Sequence, residues 1–209
     1  DCDWSSDVCS SDLGHAAMPH QTVDSIAIAA QVITNLQHVV SRQTNPLDPL
    51  VVSVTKIQGG TTHNVIPGSV ELVGTVRSFD AGLRKNVPKL MDRVIQGITT
   101  AHGADYDFKY EEGYRPVIND HGVTAMMEEA VRDVFGEEAI ARLQPNMGGE
   151  DFSAFQQKAP GNFFYVGCGN PDKGIVYPHH HERFTIDEDA LENGVKLFVH
   201  AAFKFLNGH

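Results

Sequence analysis

Several short segments of this 209-residue chain carry side chains whose types and spacing suit work on a carbonyl or a carboxylate. The first is Gly14-His15-Ala16-Ala17-Met18-Pro19-His20. A histidine between a glycine and a proline-ended turn can aim its ring into a reaction site. A neutral imidazole N–H beside a reacting carbonyl steadies the developing oxyanion, and preorganised donors of this kind are worth about 3 kcal/mol. The plainer role for His15 is to cap its own turn; His20, beside Pro19, reads as structural. Asn64 follows a Gly-Gly-Thr-Thr loop and precedes Val65-Ile66-Pro67. Its amide can donate to a carboxylate or carbonyl oxygen, or can simply make an Asx turn before a strand. Arg77 ends Gly74-Thr75-Val76-Arg77 on the polar side of an alternating run. There a guanidinium can clamp a carboxylate bidentately, or pair across the strands with Glu71 or Asp80.

Two later segments add to these. Gly148-Gly149-Glu150-Asp151 is a glycine turn that opens a helix at Phe152. Free backbone N–H groups at such a start, Gly149 among them, favour an anion, and the carboxylates of Glu150 and Asp151 can equally cap the helix. His179-His180-His181 lies before an acidic helix start. In extended chain successive side chains alternate sides, so three adjacent histidines cannot converge, and the middle one stands alone on its side. A catalytic zinc-type site needs about three protein ligands per ion. The sequence holds no His-Glu-x-x-His and no paired cysteines, and its Glu111-Glu112 and Glu128-Glu129 doublets fall on a strand end and a helix face. By itself this sequence is not expected to hold a metal cluster.

The elements that must position these residues can be read from periodicity. From Thr22 to about Gln43, Val23, Ile26, Ala30, Ile33, Leu36 and Val40 form one helical stripe, ended by Asn45-Pro46 and Asp48-Pro49. Leu50–Ile57 is β-rich and closes on Gly59-Gly60. Val70–Phe79 alternates, with Val70, Leu72 and Val76 on one face and Glu71, Thr75 and Arg77 on the other. A second helix runs from about Gly82 to His102 through Val87, Leu90, Val94, Ile98 and Ala101, with Gly103 as its stop. Tyr106, Phe108 and Tyr110 mark a further strand. One more strand in front would make β-α-β-β-α-β, the ferredoxin-like split βαβ order. After the extended linker Val117–Asp120 the pattern changes: a helix over Val123–Phe135, a short one over Phe152–Gln157, a buried strand at Asn162–Gly167, and an amphipathic helix over Ala190–Leu206 through Leu191, Val195, Phe198, Ala202 and Phe205.

Residues 1–13 stand apart. They show neither helical nor strand periodicity and contain the chain's only tryptophan and two of its three cysteines. Asp3–Leu13 reads like the translation of a sequencing-library adapter fused in frame to a truncated gene. On that reading Cys2, Trp4 and Cys9 carry no chemistry, the first strand is lost, and Cys168 is the one genuine cysteine, which fits a reduced compartment. The expected organisation is a non-native segment at 1–13, one small α+β domain at 14–115, and part of an α/β layer at 116–209.

Composition narrows the function classes. A hydrophobic fraction of 41% and a charged fraction of 21% are ordinary for a globular chain. A formal net charge of -11 without a Lys/Arg cluster argues against nucleic acid as a partner. No apolar run approaches the ~20 residues of a membrane span, and the N-terminus lacks the layout of a secretory signal. The default expectation is a cytoplasmic protein with no membrane partner.

Taken as an ordered set, Gly-His-Ala-Ala-x-Pro-His, Asn-Val-Ile-Pro, Gly-Thr-Val-Arg and Gly-Glu-Asp-Phe-Ser resemble the aminoacylase and carboxypeptidase family of two-metal hydrolases. The nearest branch is that of hippurate hydrolases and auxin-conjugate amidohydrolases, and the resemblance runs from Gly14 to about Leu206. It implies a catalytic α/β domain around two zinc or manganese ions, carrying a ferredoxin-like α+β lid that also forms a homodimer. By resemblance residues 14–115 are that lid and 116–209 the returning end of the catalytic domain. His15 matches the lid histidine that reaches the partner subunit's metal site and steadies the tetrahedral intermediate. Asn64 and Arg77 match positions holding the substrate's carboxylate end, with Gly149 and Glu150 also at the substrate. His180 matches a late metal ligand, although Glu182 stands where many relatives have proline, so the register against His179 and His181 is open. The early metal motif and the Glu-Glu pair that supplies the general base are missing. The resemblance therefore implies a parent that hydrolyses N-acyl amino acids and a chain that, as written, is inactive and retains no metal. The competing readings are a non-catalytic dimerisation module and a small metal carrier using the histidine triplet.

Overall fold

A computed structural model of the chain describes residues 2–10 and 13–208. Contacts divide it into two units, residues 1–116 with 146–151, and residues 117–145 with 152–209. In chain order the first unit carries β1 (Cys2–Cys9), β2 (Gly14–His15), α1 (Ser25–Gln43), β3 (Leu50–Gly59), β4 (Val65–Ile66), β5 (Ser69–Ser78), α2 (Ala81–His102) and β6 (Asp105–Glu112). The long elements follow one another as β-α-β-β-α-β. Their four strands lie in the order β3-β5-β1-β6, each antiparallel to its neighbour. The two-residue strands β2 and β4 pair separately.

The first strand is not lost. Cys2–Cys9 occupies a central position, hydrogen-bonded to β5 on one side and β6 on the other. Cys2, Trp4, Ser6 and Val8 point into the core, while Asp3 is exposed on the opposite face. Hydropathy hides this alternation because Ser6 fills an apolar slot and Cys9 lies on the outer face. The indole of Trp4 fits because Gly74 lies opposite: a Cβ there would stand 2.7 Å from Trp4 Cε2 and 2.1 Å from the Ser53 carbonyl oxygen. Two polar atoms of β1 itself, Trp4 Nε1 and Ser6 Oγ, are buried without a hydrogen-bond partner.

Both long helices lie against this inner face, each capped at its start by an aspartate. Asp24 accepts from the Ala27 N–H at 3.0 Å and Asp80 from the Leu83 N–H at 2.6 Å. The α2 helix stops at Gly103, whose φ of 68° is the left-handed cap that glycine adopts without strain. The buried line of α1 is Ile28, Ala29, Val32, Leu36 and Val39; that of α2 is Val87, Met91, Ile95 and Thr99. Both are rotated from the stripes expected from sequence. Ile26, Ala30 and Ala101 lie outside, because the sheet takes the line nearest its twisted surface and leaves flanking aliphatics half-buried.

In the second unit, α3 (His121–Phe135) is capped by Asp120, which accepts from the Val123 N–H at 2.9 Å. α4 (Ser153–Gln156) is a single turn, and α5 (Asp189–Leu206) packs on α3. Their shared core is small: Met126, Met127, Ala130, Leu197 and Ala201. Lys204 reinforces it, reaching Asp133 at 2.9 Å and Glu129 at 3.3 Å. The apolar stripe expected to bury α5 faces outward instead: Leu191, Val195, Phe198 and Phe205 are each about 60% exposed or more, Ala202 is exposed, and Phe203 beside them is as exposed as they are. Nor does Asn162–Gly167 form a strand. It is held by Asn119, whose amide exchanges two 2.8 Å hydrogen bonds with the backbone of Phe163, and by Phe163 packing on Phe152 and Tyr165. A strand exists only where a partner completes its ladder, and here the described residues supply none. No helix among the described residues is long and apolar enough to cross a membrane.

Removing a buried, unpaired hydroxyl removes a desolvation cost. Ser6→Ala is therefore expected to stabilise the first unit by about 1 kcal/mol, read from urea unfolding followed through the fluorescence of Trp4, the only tryptophan. An exposed apolar helix face of this extent drives self-association. The Val195→Lys, Phe203→Glu double variant is expected to raise the monomer fraction in sedimentation velocity at micromolar concentration.

Candidate functional site

The glycine before His15 is set by close packing. A Cβ on Gly14 would stand 2.2 Å from Cγ2 and 2.6 Å from Cβ of Thr22, so only glycine lets the chain pass. Gly14 and His15 then pair with Ile66 and Val65 in the β2–β4 ladder. The Ala16 N–H donates to the Asn64 carbonyl oxygen at 3.0 Å, which extends the pairing to Asn64 itself. After His15 the chain turns, with the Met18 N–H donating to the His15 carbonyl oxygen at 2.8 Å and the Ala17 N–H to His15 Nδ1 at 3.1 Å. On the opposing segment the Thr62 hydroxyl donates to Asn64 Oδ1 at 3.0 Å. The segments bearing His15 and Asn64, far apart in sequence and both exposed, are thus joined through their backbones, with Val65 opposite His15 and Asn64 against Ala16. The arrangement is anchored below by the buried Ser25 hydroxyl donating to the Pro67 carbonyl oxygen at 2.7 Å, and by the Ser10 N–H donating to Gly68 at 2.7 Å.

Arg77 is not part of this pair. It lies opposite Val51 near the far end of β5, eight residues beyond Ser69. That places it about 26 Å along the strand from the end where Asn64 enters, at ~3.3 Å per residue. Partial burial lowers its guanidinium below the usual arginine range. The cross-strand partners that sequence offered for it are otherwise engaged: Glu71 pairs with Lys56, and Asp80 caps α2.

Gly149 and Glu150 group by contact with the first unit, Gly149 exposed and Glu150 half-buried. Their turn is closed by the Gly148 N–H donating to Asn146 Oδ1 at 2.9 Å. The helix after them is Ser153–Gln156 alone. One turn gives too small a dipole for the anion site that a long helix start would offer.

His180 belongs to the second unit. The histidine triplet is a turn rather than extended chain: the His181 N–H donates to the Pro178 carbonyl oxygen at 3.2 Å, and His180 takes a left-handed φ of 66°. The alternation expected of an extended chain does not apply. His181 stacks on Tyr177 at 4.3 Å and accepts from the Arg183 N–H through Nδ1 at 3.0 Å, while His179 meets the edge of Phe184 at 4.9 Å. Among the described residues nothing stacks on or hydrogen-bonds to the His180 ring. The loop bearing it is closed by a clamp that sequence reading missed, because its members lie far apart along the chain. Asp187 accepts from Asn170 Nδ2 at 2.6 Å and Lys173 Nζ at 2.7 Å, and its own N–H donates to Cys168 at 2.8 Å. The Lys173 bond, then that of Asn170, holds the Asp187 carboxyl below the usual carboxylate range.

With this geometry in place, comparison with known proteins is decisive about family. The model of peptidase family M20/M25/M40 matches residues 17–204. The chain belongs to that family. It is 64% identical over 106 residues to an N-acyl-L-amino acid amidohydrolase of Geobacillus stearothermophilus, covering 51% of this chain and 29% of that protein. It is 39% identical over 191 residues to an N-acetylcysteine deacetylase of Bacillus subtilis, covering 90% of this chain and 48% of that one. A solved structure from Bacillus subtilis, described as a dinuclear metal-binding peptidase of the M20 family, superposes with a TM-score of 0.73 at 32% identity over 99% of this chain and 50% of that one. The M20 chain described here thus spans about half the length of such relatives or less.

Because a Cβ at position 14 collides with the stem of Thr22, Gly14→Ala is expected to open the β2–β4 ladder. Hydrogen exchange checks it: the Ala16 N–H should lose protection while the amides of β1 and β5 keep theirs.

Proposed function

We propose that this chain is the lid and the returning end of an M20 amidohydrolase that cleaves N-acyl amino acids of the hippurate kind, and that its reaction centre is completed by sequence outside it. The observation that carries the reading is the β2–β4 ladder, which sets His15 opposite Val65 and, through the Ala16 N–H on the Asn64 carbonyl oxygen, joins the segments that bear His15 and Asn64. A pure scaffold has no use for two exposed polar side chains on segments joined beside a glycine that packing makes obligatory. The β-α-β-β-α-β order of the first unit supports its reading as the ferredoxin-like lid.

In this reading His15 donates to the oxyanion that develops on the amide carbonyl, and Asn64 donates to an oxygen of the substrate. Arg77 clamps a carboxylate, with Gly149 and Glu150 at the substrate's other contacts. A substrate of one amino acid and one acyl group is about 7 Å long, much shorter than the strand between Asn64 and Arg77. One substrate molecule cannot touch both ends, so the two ends serve different sites. A homodimer joined through the lid provides two such sites, which is the partner we assign.

In the family two divalent ions, zinc or manganese, supply the polarising charge and the activated water. The residues present do not fit such a centre. Among the described residues no group of three or more His, Cys, Asp and Glu side chains converges on a point, and His180 would be one ligand of several. No step is assigned to a metal on this chain, and the 209-residue chain is expected to be inactive. The outward apolar face of α5 agrees with a partner layer beyond this sequence.

The test is release of benzoate and glycine from hippurate by the purified chain with manganese or zinc added. We expect none, and turnover would refute the reading. Fusion to the missing half of an M20 relative is expected to restore hydrolysis and to lose it again on His15→Ala. A fused protein that assembles and binds both metals yet stays inactive would favour the alternative, a non-catalytic dimerisation module.

A further inference from the structure

We infer that the His15 turn and the Thr62 hydroxyl are positioning groups that set His15 Nε2–H and Asn64 Nδ2–H as the hydrogen-bond donors offered to a ligand. The inference deepens the proposed function by naming what sets the polarity of that site. A backbone N–H can only donate, so the Ala17 N–H bound to His15 Nδ1 requires a lone pair on that nitrogen. In the neutral ring the proton must then sit on Nε2, the nitrogen facing away from the turn. The Met18 N–H, bound to the His15 carbonyl oxygen at 2.8 Å, holds the turn that makes this possible.

Asn64 is treated in the same way. Its Oδ1 receives the Thr62 hydroxyl at 3.0 Å, which occupies one lone pair of the amide oxygen and so fixes which end of the amide is the donor. Among the described residues nothing accepts from His15 Nε2 or Asn64 Nδ2. The Ala16 N–H ties the two segments together through the backbone at 3.0 Å. Each of the two side-chain donors suits a carboxylate, a carbonyl or a developing oxyanion. Thr62 is therefore a positioning residue that acts through Asn64, and the Ala17 amide plays the same part for His15.

Nitrogen NMR of the labelled 209-residue chain tests this without turnover. The neutral His15 ring is expected as the Nε2–H tautomer. The Asn64 side-chain amide is expected to be ordered, to fall in Thr62→Ala to an order parameter below about 0.6, as for a free surface side chain, and to stay ordered in Thr62→Ser. An Nδ1–H tautomer at His15, or an Asn64 amide unchanged in Thr62→Ala, would overturn the inference. Either result would leave the amidohydrolase reading to be judged by hippurate hydrolysis alone, so the two can fail separately.

Discussion

The first unit depends on the central slot of its sheet, between β5 and β6, being filled. Those strands leave and re-enter the sheet through α2, and a crossover of that kind sets them a full strand width apart with rows of backbone donors and acceptors facing each other. Cys2–Cys9 satisfies both rows at once, and its Trp4 and Val8 complete the apolar layer under α1 and α2. The side chains it brings are not ideal, as the unpaired Trp4 Nε1 and Ser6 Oγ show. Backbone pairing on two sides outweighs that local cost, and this is why a segment without hydropathic rhythm becomes a core strand.

The candidate site is a consequence of that sheet. β3 and β5 are joined by the loop that carries Thr62 and Asn64, and the return of this loop is fixed by Ser25 on Pro67 and by Ser10 on Gly68. On this footing the short β2–β4 ladder can form, although two residue pairs have little stability of their own. Geometry at the site is therefore borrowed from the core: Gly14 clears Thr22, the ladder sets the register, and the turn after His15 sets which ring nitrogen faces outward. Arg77, at the other end of β5, shares the same rigid strand but not the same site.

The second unit follows a different balance. The small α3–α5 core leaves the larger apolar face of α5 exposed, and the loop carrying the histidine triplet is held by polar clamps, Asp187 with Lys173 and Asn170, rather than by burial. Such a loop orients His180 through hydrogen bonds and ring stacking at its neighbours. That is sufficient to present one side chain and insufficient to assemble a set.

The sequence by itself determined the order of the long elements from α1 to β6, the stop at Gly103, and the ordered motifs by which this chain resembles its family. These are local or linear properties, governed by periodicity and by the conformational freedom of glycine. Only the tertiary structure decided that residues 2–9 are a strand, which line of each helix is buried, that Asn162–Gly167 has no ladder, and that the segment of His15 joins that of Asn64 while Arg77 lies at the other end of β5. Each of those depends on a partner distant in the chain, and periodicity along one segment carries no information about what the fold will place opposite it.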